Sequence, residues 1–274
     1  MKKIGYQGVP GAYSEIAVRQ YFGDNSANIA YDNFRTLISD VANKKVDFGL
    51  LPIENSTTGA ITRSLDLMKN YQVYMIGEEY VRVSHCLITY KGVDFKDIKT
   101  IYSHPEALKQ CDEFFDSHQE INKVAYLDTA KSVAYILELK DRSAGALASK
   151  RAAEIYDMQV LMEDIQDNKL NTTRFAVISS QPTYQNHADT VSIYLETSHT
   201  SGSLFRCIKV FSDHQINMMK IESRPIQEKP FSYGFYMDFE GNLETDKTQK
   251  VLDELRTHCQ YVKVIGNYKR RMPY

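Results

Sequence analysis

Along the first two thirds of the chain one pattern recurs: a short apolar run, a turn of small polar residues, then an amphipathic stretch. Lys3-Ile4-Gly5-Tyr6 reads as a strand and Gln7-Gly8-Val9-Pro10-Gly11-Ala12-Tyr13 as the turn after it. Ser14 stands where a helix N-cap belongs, ahead of a helix over 15–22, and Gly23 is a natural stop. Residues 48–53 form the next apolar run, which opens into Glu54-Asn55-Ser56-Thr57-Thr58-Gly59 and a helix through Met68. Residues 100–102 lead through Ser103-His104-Pro105 into a helix over 106–115, with proline in the first turn, where a missing N–H costs nothing. Runs at 124–127 and 145–148, followed by Asp128 and Ser149, precede helices over 130–139 and 150–156. Residues 81–88 read as one longer strand and 172–178 as another. Strands alternating with helices predict an α/β fold, a mostly parallel sheet with helices on its faces.

A polar stretch at 181–188 reads as a linker, and the pattern changes after it. Strand 190–195 is followed by a helix over 202–211 with Leu204, Ile208 and Phe211 on one stripe. Strands at 216–223 and 231–239, a helix at 248–259 and a strand at 262–265 complete the order βαββαβ, the ferredoxin-like split unit. The expected organisation is a body over 1–180 and a second domain over 189–274. Within the body, the long strands divide one lobe (1–76 with 174–180) from another (77–173).

Composition narrows the function classes. The 274 residues hold 33 basic and 35 acidic side chains, a net charge of −2. That balance argues against nucleic acid or a membrane surface as partner, since either needs a clustered basic excess. No run reaches the ~20 apolar residues of a membrane span, and no apolar signal region opens the chain. Cys86, Cys111, Cys207 and Cys259 are far apart, with neither Cys-x-x-Cys nor metal-ligand spacing, which predicts reduced thiols in a cytoplasmic protein. The glycines at 8 and 11 match neither G-x-G-x-x-G nor a phosphate-binding loop, so no cofactor and no metal is expected.

Candidate chemistry gathers at strand ends. Open α/β sheets bind ligands outside the carboxyl ends of their strands, where helix N-termini favour anions. Ser14, Asp128 and Ser149 also read as plain N-caps, each worth about 1 kcal/mol. His85, on an apolar run, reads as a satisfied interior histidine, whereas His104 beside Ser103 is a ligand candidate. Asn171-Thr172-Thr173-Arg174-Phe175 is more telling. An arginine entering an apolar strand needs an anion, its fork fits a carboxylate, and a neighbouring threonine can donate to the same ligand; the alternative is an ordinary strand with threonines for β propensity and the arginine on its solvent face.

In combination these segments resemble the prephenate dehydratase family. The motifs are Gly8-Val9-Pro10-Gly11-Ala12-Tyr13-Ser14, Pro52-Ile53-Glu54-Asn55-Ser56-Thr57-Thr58-Gly59, the segment from Ser103-His104-Pro105 to Gln110-Cys111, Thr173-Arg174-Phe175, and Glu222-Ser223-Arg224-Pro225. The resemblance implies a two-lobed body like that of periplasmic binding proteins, followed by a phenylalanine-binding ACT domain. It implies decarboxylating dehydration of prephenate to phenylpyruvate, with Thr173 on the acid side and Arg174 on a substrate carboxylate. Asn55, Ser56, Thr57, Thr58, Gly59, Phe175, Ser103, His104 and Ser14 would line the pocket, which closing lobes would seal. L-phenylalanine would bind between two chains, at Gly202 and Leu204 with Glu222, Ser223 and Arg224, in a homodimer or homotetramer. Ser201-Gly202-Ser203-Leu204 lacks the proline usual in the family's turn. Two alternatives stay open: an arogenate dehydratase, and a non-catalytic carboxylate sensor with an ACT domain.

Overall fold

The computed structural model describes residues 1–182 and 187–271, so half of the expected linker lies outside the described residues. In chain order the elements begin with β1 (Lys2–Gln7), α1 (Tyr13–Phe22), β2 (Ser26–Tyr31), α2 (Phe34–Ala42), β3 (Phe48–Asn55) and β4 (Gly59–Ala60). Next come α3 (Thr62–Asn70), β5 (Tyr74–Arg82), β6 (Cys86–Thr89), β7 (Thr100–Ser103), α4 (Pro105–Lys109) and α5 (Asp112–Asp116). They continue with β8 (Asn122–Ala125), α6 (Thr129–Leu139), β9 (Ala144–Ala148), α7 (Lys150–Ile155), β10 (Gln159–Met162) and β11 (Thr172–Ser179). The last are β12 (Thr190–Glu196), α8 (Ser203–Asp213), β13 (Met218–Pro225), β14 (Tyr233–Glu240), α9 (Asp246–His258) and β15 (Tyr261–Tyr268). They fall into two compact units, one of residues 1–33, 54–59 and 80–175, the other of 34–53, 60–79 and 176–274.

The first unit holds the parallel pair β1–β2 and a five-stranded sheet in the order β10-β6-β9-β7-β8. Successive side chains of a strand face opposite ways. Cys86 and Ile88 of β6, with Ala144, Ala146 and Ala148 of β9, therefore pack against Ala130, Val133 and Ile136 of α6. Leu87, Ile101 and Leu147 pack with Leu108, Phe114 and Phe115. The alanines of β9 are small enough to bring α6 close to the sheet.

Asp128 caps α6, accepting from Ala130 N and Lys131 N at 2.8 and 3.1 Å, and Ser149 caps α7 through Ala152 N at 3.1 Å, as the sequence predicts. Ser14 does not cap α1. That helix starts two residues earlier, with Ile16 N bonded to Ala12 O, and the Ser14 hydroxyl turns back to the Gln7 carbonyl. Gly11 has φ +91°, and a Cβ there would lie 2.7 Å from the Ala152 Cα. The glycine-rich turn is thus packed against α7, with Gly11 O accepting from the Ser149 hydroxyl at 2.6 Å.

Two expected elements are divided. The strand expected over 81–88 breaks at 83–85 because a downstream segment takes its backbone groups: Val83 N donates to Asn171 O, Ile165 N to His85 O, and His85 N to Gln166 Oε1. The helix expected over 106–115 breaks at Gln110-Cys111. There the Asp167 carboxylate accepts from Asp112 N and Glu113 N at 3.1 and 3.2 Å, and so starts α5 as a separate helix.

In the second unit the strands run β13-β14-β12-β15-β5-β11-β3. Its C-terminal part has the expected βαββαβ order, β12 pairing antiparallel with both β14 and β15. Helices α8 and α9 cover one face, with Ile193, Phe211, Phe239 and Leu252 in the core. Helix α3 meets residues of the opposite face. Lys263 Nζ donates to the carbonyls of Met68, Lys69 and Tyr71 at 3.2, 2.7 and 2.9 Å, which satisfies the C-terminal carbonyls of α3. No helix among the described residues is long and apolar enough to cross a membrane.

Candidate active site

The first unit brings the end of β3 and the start of β11 together through one side chain. Asn55 is 7% exposed. Its Oδ1 accepts from Thr57 N and Thr58 N, both at 3.0 Å, and from the Thr58 hydroxyl at 3.3 Å. Backbone N–H groups only donate, so the other end of the amide must be the donor. Nδ2 donates to Asn171 Oδ1 at 2.7 Å and to Thr173 Oγ1 at 3.0 Å. Thr173 therefore receives a hydrogen bond and keeps its own proton to give.

Asn171 is 1% exposed and its Nδ2 has no partner. A buried amide donor left unmade costs about 1–3 kcal/mol, so this group marks a place where an acceptor belongs. Asn171 lines a cleft of about 380 Å³ together with Thr57, Lys109, Gln110, Gln166 and Asn168. Asn168 Nδ2 donates to the Thr57 hydroxyl oxygen at 3.2 Å, fixing the turn at the cleft's edge.

The remaining candidates are dispersed over local contacts. Ser56 ties the turn to β11: its hydroxyl accepts from Thr172 N, and its N–H donates to Thr172 O, both at 2.9 Å. Arg174 finds an anion within the chain, with Nη1 3.3 Å from Glu54 Oε2. Along β11 its side chain also leaves on the face opposite Thr173. Phe175 is core, and Gly59 has φ +85° with open space around it. Ser103 is fully buried and donates to Leu147 O at 2.7 Å, while His104 accepts from Glu106 N at 3.2 Å through Nδ1 as the cap of α4. Serine and histidine there are not wired as nucleophile and base. Among the described residues no three His, Cys, Asp or Glu gather as a metal would require.

In the second unit Gly202 has φ +78° and opens α8, and Arg224 forks onto Asp66 of α3 with Nη2–Oδ2 2.7 Å and Nε–Oδ1 3.2 Å. Glu222 is half-buried and Ser223 exposed on β13.

A family model described as prephenate dehydratase matches residues 4–183. The chain belongs to the prephenate dehydratase family of carbon–oxygen lyases. It is 35% identical to arogenate dehydratase 2 of Petunia hybrida, over 97% of this chain and 71% of that one. Among solved structures it resembles a prephenate dehydratase from Arthrobacter aurescens in complex with L-Phe, at 27% identity and TM-score 0.90 over 98% and 90% of the two chains. A protein described as a novel type of quorum quenching acylase, GqqA, is also similar, at 27% identity and TM-score 0.90 over 98% of both chains.

Within this prephenate dehydratase family chain, sequence patterning misses the amides. Gln110 sits inside the motif from Ser103 to Cys111, and Asn171 stands two residues before Thr173, yet neither has a spacing that singles it out. Lys109, the cation on the cleft wall, lies in the same motif and is likewise not singled out by it.

Proposed function

We propose that the chain is a prephenate dehydratase, eliminating water and carbon dioxide from prephenate to give phenylpyruvate. The observation that supports this most is the buried, unpartnered Asn171 Nδ2 beside a Thr173 hydroxyl whose proton Asn55 leaves available. Prephenate carries two carboxylates and a ring hydroxyl opposite one of them. Its C–O bond breaks with the electron pair going to oxygen, while the C–C pair of the departing carboxylate enters the ring. The driving force is aromatisation, so the chain has to hold the carboxylates and assist hydroxide departure. Asn171 Nδ2 and Lys109 suit a carboxylate, and Thr173 suits the hydroxyl. Threonine is too weak an acid to protonate the leaving group outright, so Thr173 polarises it and water supplies the proton. Arg174, which pairs with Glu54 at 3.3 Å, would position a substrate carboxylate.

We further propose that residues 1–180 are the catalytic body and 189–274 an ACT domain, the chain assembling as a homodimer or homotetramer. L-phenylalanine would bind at Gly202, Leu204, Glu222, Ser223 and Arg224. The L-Phe complex of the Arthrobacter protein supports this. A second reading, arogenate dehydratase, is favoured by the name of the Petunia relative. The two substrates differ in a keto against an amino group. Purified protein given each substrate, with and without L-phenylalanine, tests all of this. Phenylpyruvate absorbance in alkali reports the first activity, and phenylalanine formation the second. Product from neither substrate would overturn the enzymatic reading and leave the carboxylate sensor.

A further inference from the structure

Gln110 lines the cleft, and what it offers a ligand depends on which end of its carboxamide faces inward. The two ends have the same shape, so the neighbours' hydrogen-bond polarity decides. The wiring starts from a backbone carbonyl, which can only accept. Tyr13 Oη lies 2.6 Å from Ser84 O and 3.2 Å from His85 Nδ1. The single Tyr13 hydrogen therefore goes to Ser84 O, and His85 must donate from Nδ1. The ring is 2% exposed and packs edge-on against Tyr13, and burial lowers its pKa, so the neutral form is held. A neutral ring with Nδ1–H has a bare Nε2. Gln110 Oε1 stands 3.0 Å from that nitrogen, but an oxygen cannot serve a bare nitrogen, so the carboxamide is turned end for end and its NH₂ takes that place.

We propose that His85 is a positioning residue: held as the Nδ1–H tautomer by Tyr13 and Ser84, it turns the Gln110 carboxamide so that the carbonyl oxygen faces the cleft. An acceptor at that point takes a ligand hydroxyl or ammonium and repels a carboxylate. It adds a neutral acceptor to a wall that carries the donors Asn171 and Lys109 and also Glu106 and Asp167, and helps to distinguish the two ends of a substrate bearing both kinds of group. The assignment to catalysis rests on the dehydratase reading above, whereas the tautomer does not.

The test has two arms. In protein labelled with ¹⁵N-histidine, the His85 resonances are expected to show a protonated Nδ1 and a bare Nε2 at neutral pH. Tyr13→Phe removes the acceptor at Nδ1 and is expected to move the proton to Nε2. In the kinetic arm, His85→Phe and Tyr13→Phe are each expected to lower kcat/KM roughly tenfold, the size of one charge-neutral hydrogen bond in the transition state. In a Gln110→Ala background both substitutions are expected to be silent, because they act through Gln110. A wild-type ring protonated at Nε2, or effects that multiply with Gln110→Ala, would overturn the inference. If His85→Phe fails to fold, Tyr13→Phe and the wild-type spectrum still decide. Wild-type protein that turns over neither substrate would count against the dehydratase reading alone.

Discussion

Asn55 separates fold from chemistry more sharply than any other side chain in the first unit. Replacing it by alanine removes two donated and three accepted hydrogen bonds. Thr57 and Thr58 are exposed and regain water, but Asn171 Oδ1 and Thr173 Oγ1 are buried and do not. At about 1 kcal/mol for each lost bond, more where a buried group is orphaned, Asn55→Ala costs on the order of 2–4 kcal/mol of stability. Asn55→Asp behaves differently. The carboxylate still accepts from Thr57 N and Thr58 N, and more strongly. Its second oxygen faces Asn171 and Thr173 as an acceptor, so Asn171 turns its NH₂ towards it and Thr173 gives it the hydroxyl proton. The hydrogen-bond count survives while the donors meant for a ligand are turned away from it. A lost transition-state donor is worth about 2.7–4 kcal/mol, so kcat should fall on the order of 10²–10³-fold. Steady-state turnover of prephenate, read beside a thermal melt, makes the comparison. A kcat for Asn55→Asp within roughly tenfold of wild type would refute the donor logic, whatever its stability.

Thr173→Ala removes the hydroxyl that polarises the leaving group and should lower kcat on the order of 10²-fold with KM little changed, measured by initial rates of phenylpyruvate formation. Burial lowers the pKa of His85 from 6.5, so the unfolded chain takes up a proton first as pH falls. This contribution to stability is full above 6.5 and is lost below it. Urea midpoints should drop from about pH 7.5 to about pH 5.5, and less steeply in His85→Gln. Arg224→Ala frees Asp66 and removes the proposed effector contact. L-phenylalanine should then leave turnover unchanged, while turnover without it stays near that of the unaltered protein. Gly11→Ala forces a Cβ against the Ala152 backbone at a positive φ, and should destabilise by about 2–3 kcal/mol, read as a denaturant midpoint.

Alternation and helical stripe made most elements legible, including the βαββαβ order, because each buries one face and so repeats with period 2 or 3.6. Strand β2, Ser26-Ala27-Asn28-Ile29-Ala30-Tyr31, is half-exposed along its length and shows no such signal. The break between α4 and α5 was not legible either, since the capping Asp167 lies 55 residues from the N–H it receives. Local propensity continues that helix, and a tertiary carboxylate overrides it. Among site residues, the Asn55 turn and Thr173 carry a recognisable motif. Arg174 was expected to position a substrate carboxylate, and nothing in the spacing pointed to its pairing with Glu54.

The residues left unread are mainly carboxamides, and that has a physical cause. Asn and Gln donate at one end and accept at the other, so residue type and spacing leave their role undetermined. Backbone groups determine it. The Thr57 and Thr58 N–H groups, which only donate, fix Asn55 as donor to Thr173 and Asn171. The Ser84 carbonyl, which only accepts, fixes Tyr13, then His85, then Gln110. Each chain of side chains starts at a backbone group of single polarity, and Asn171 and Gln110 carry both chains to the cleft wall. The first leaves a donor there and the second an acceptor. A ligand with a carboxylate at one end and a hydroxyl or ammonium at the other meets both, and reversing either chain at its backbone end would reverse what the cleft selects.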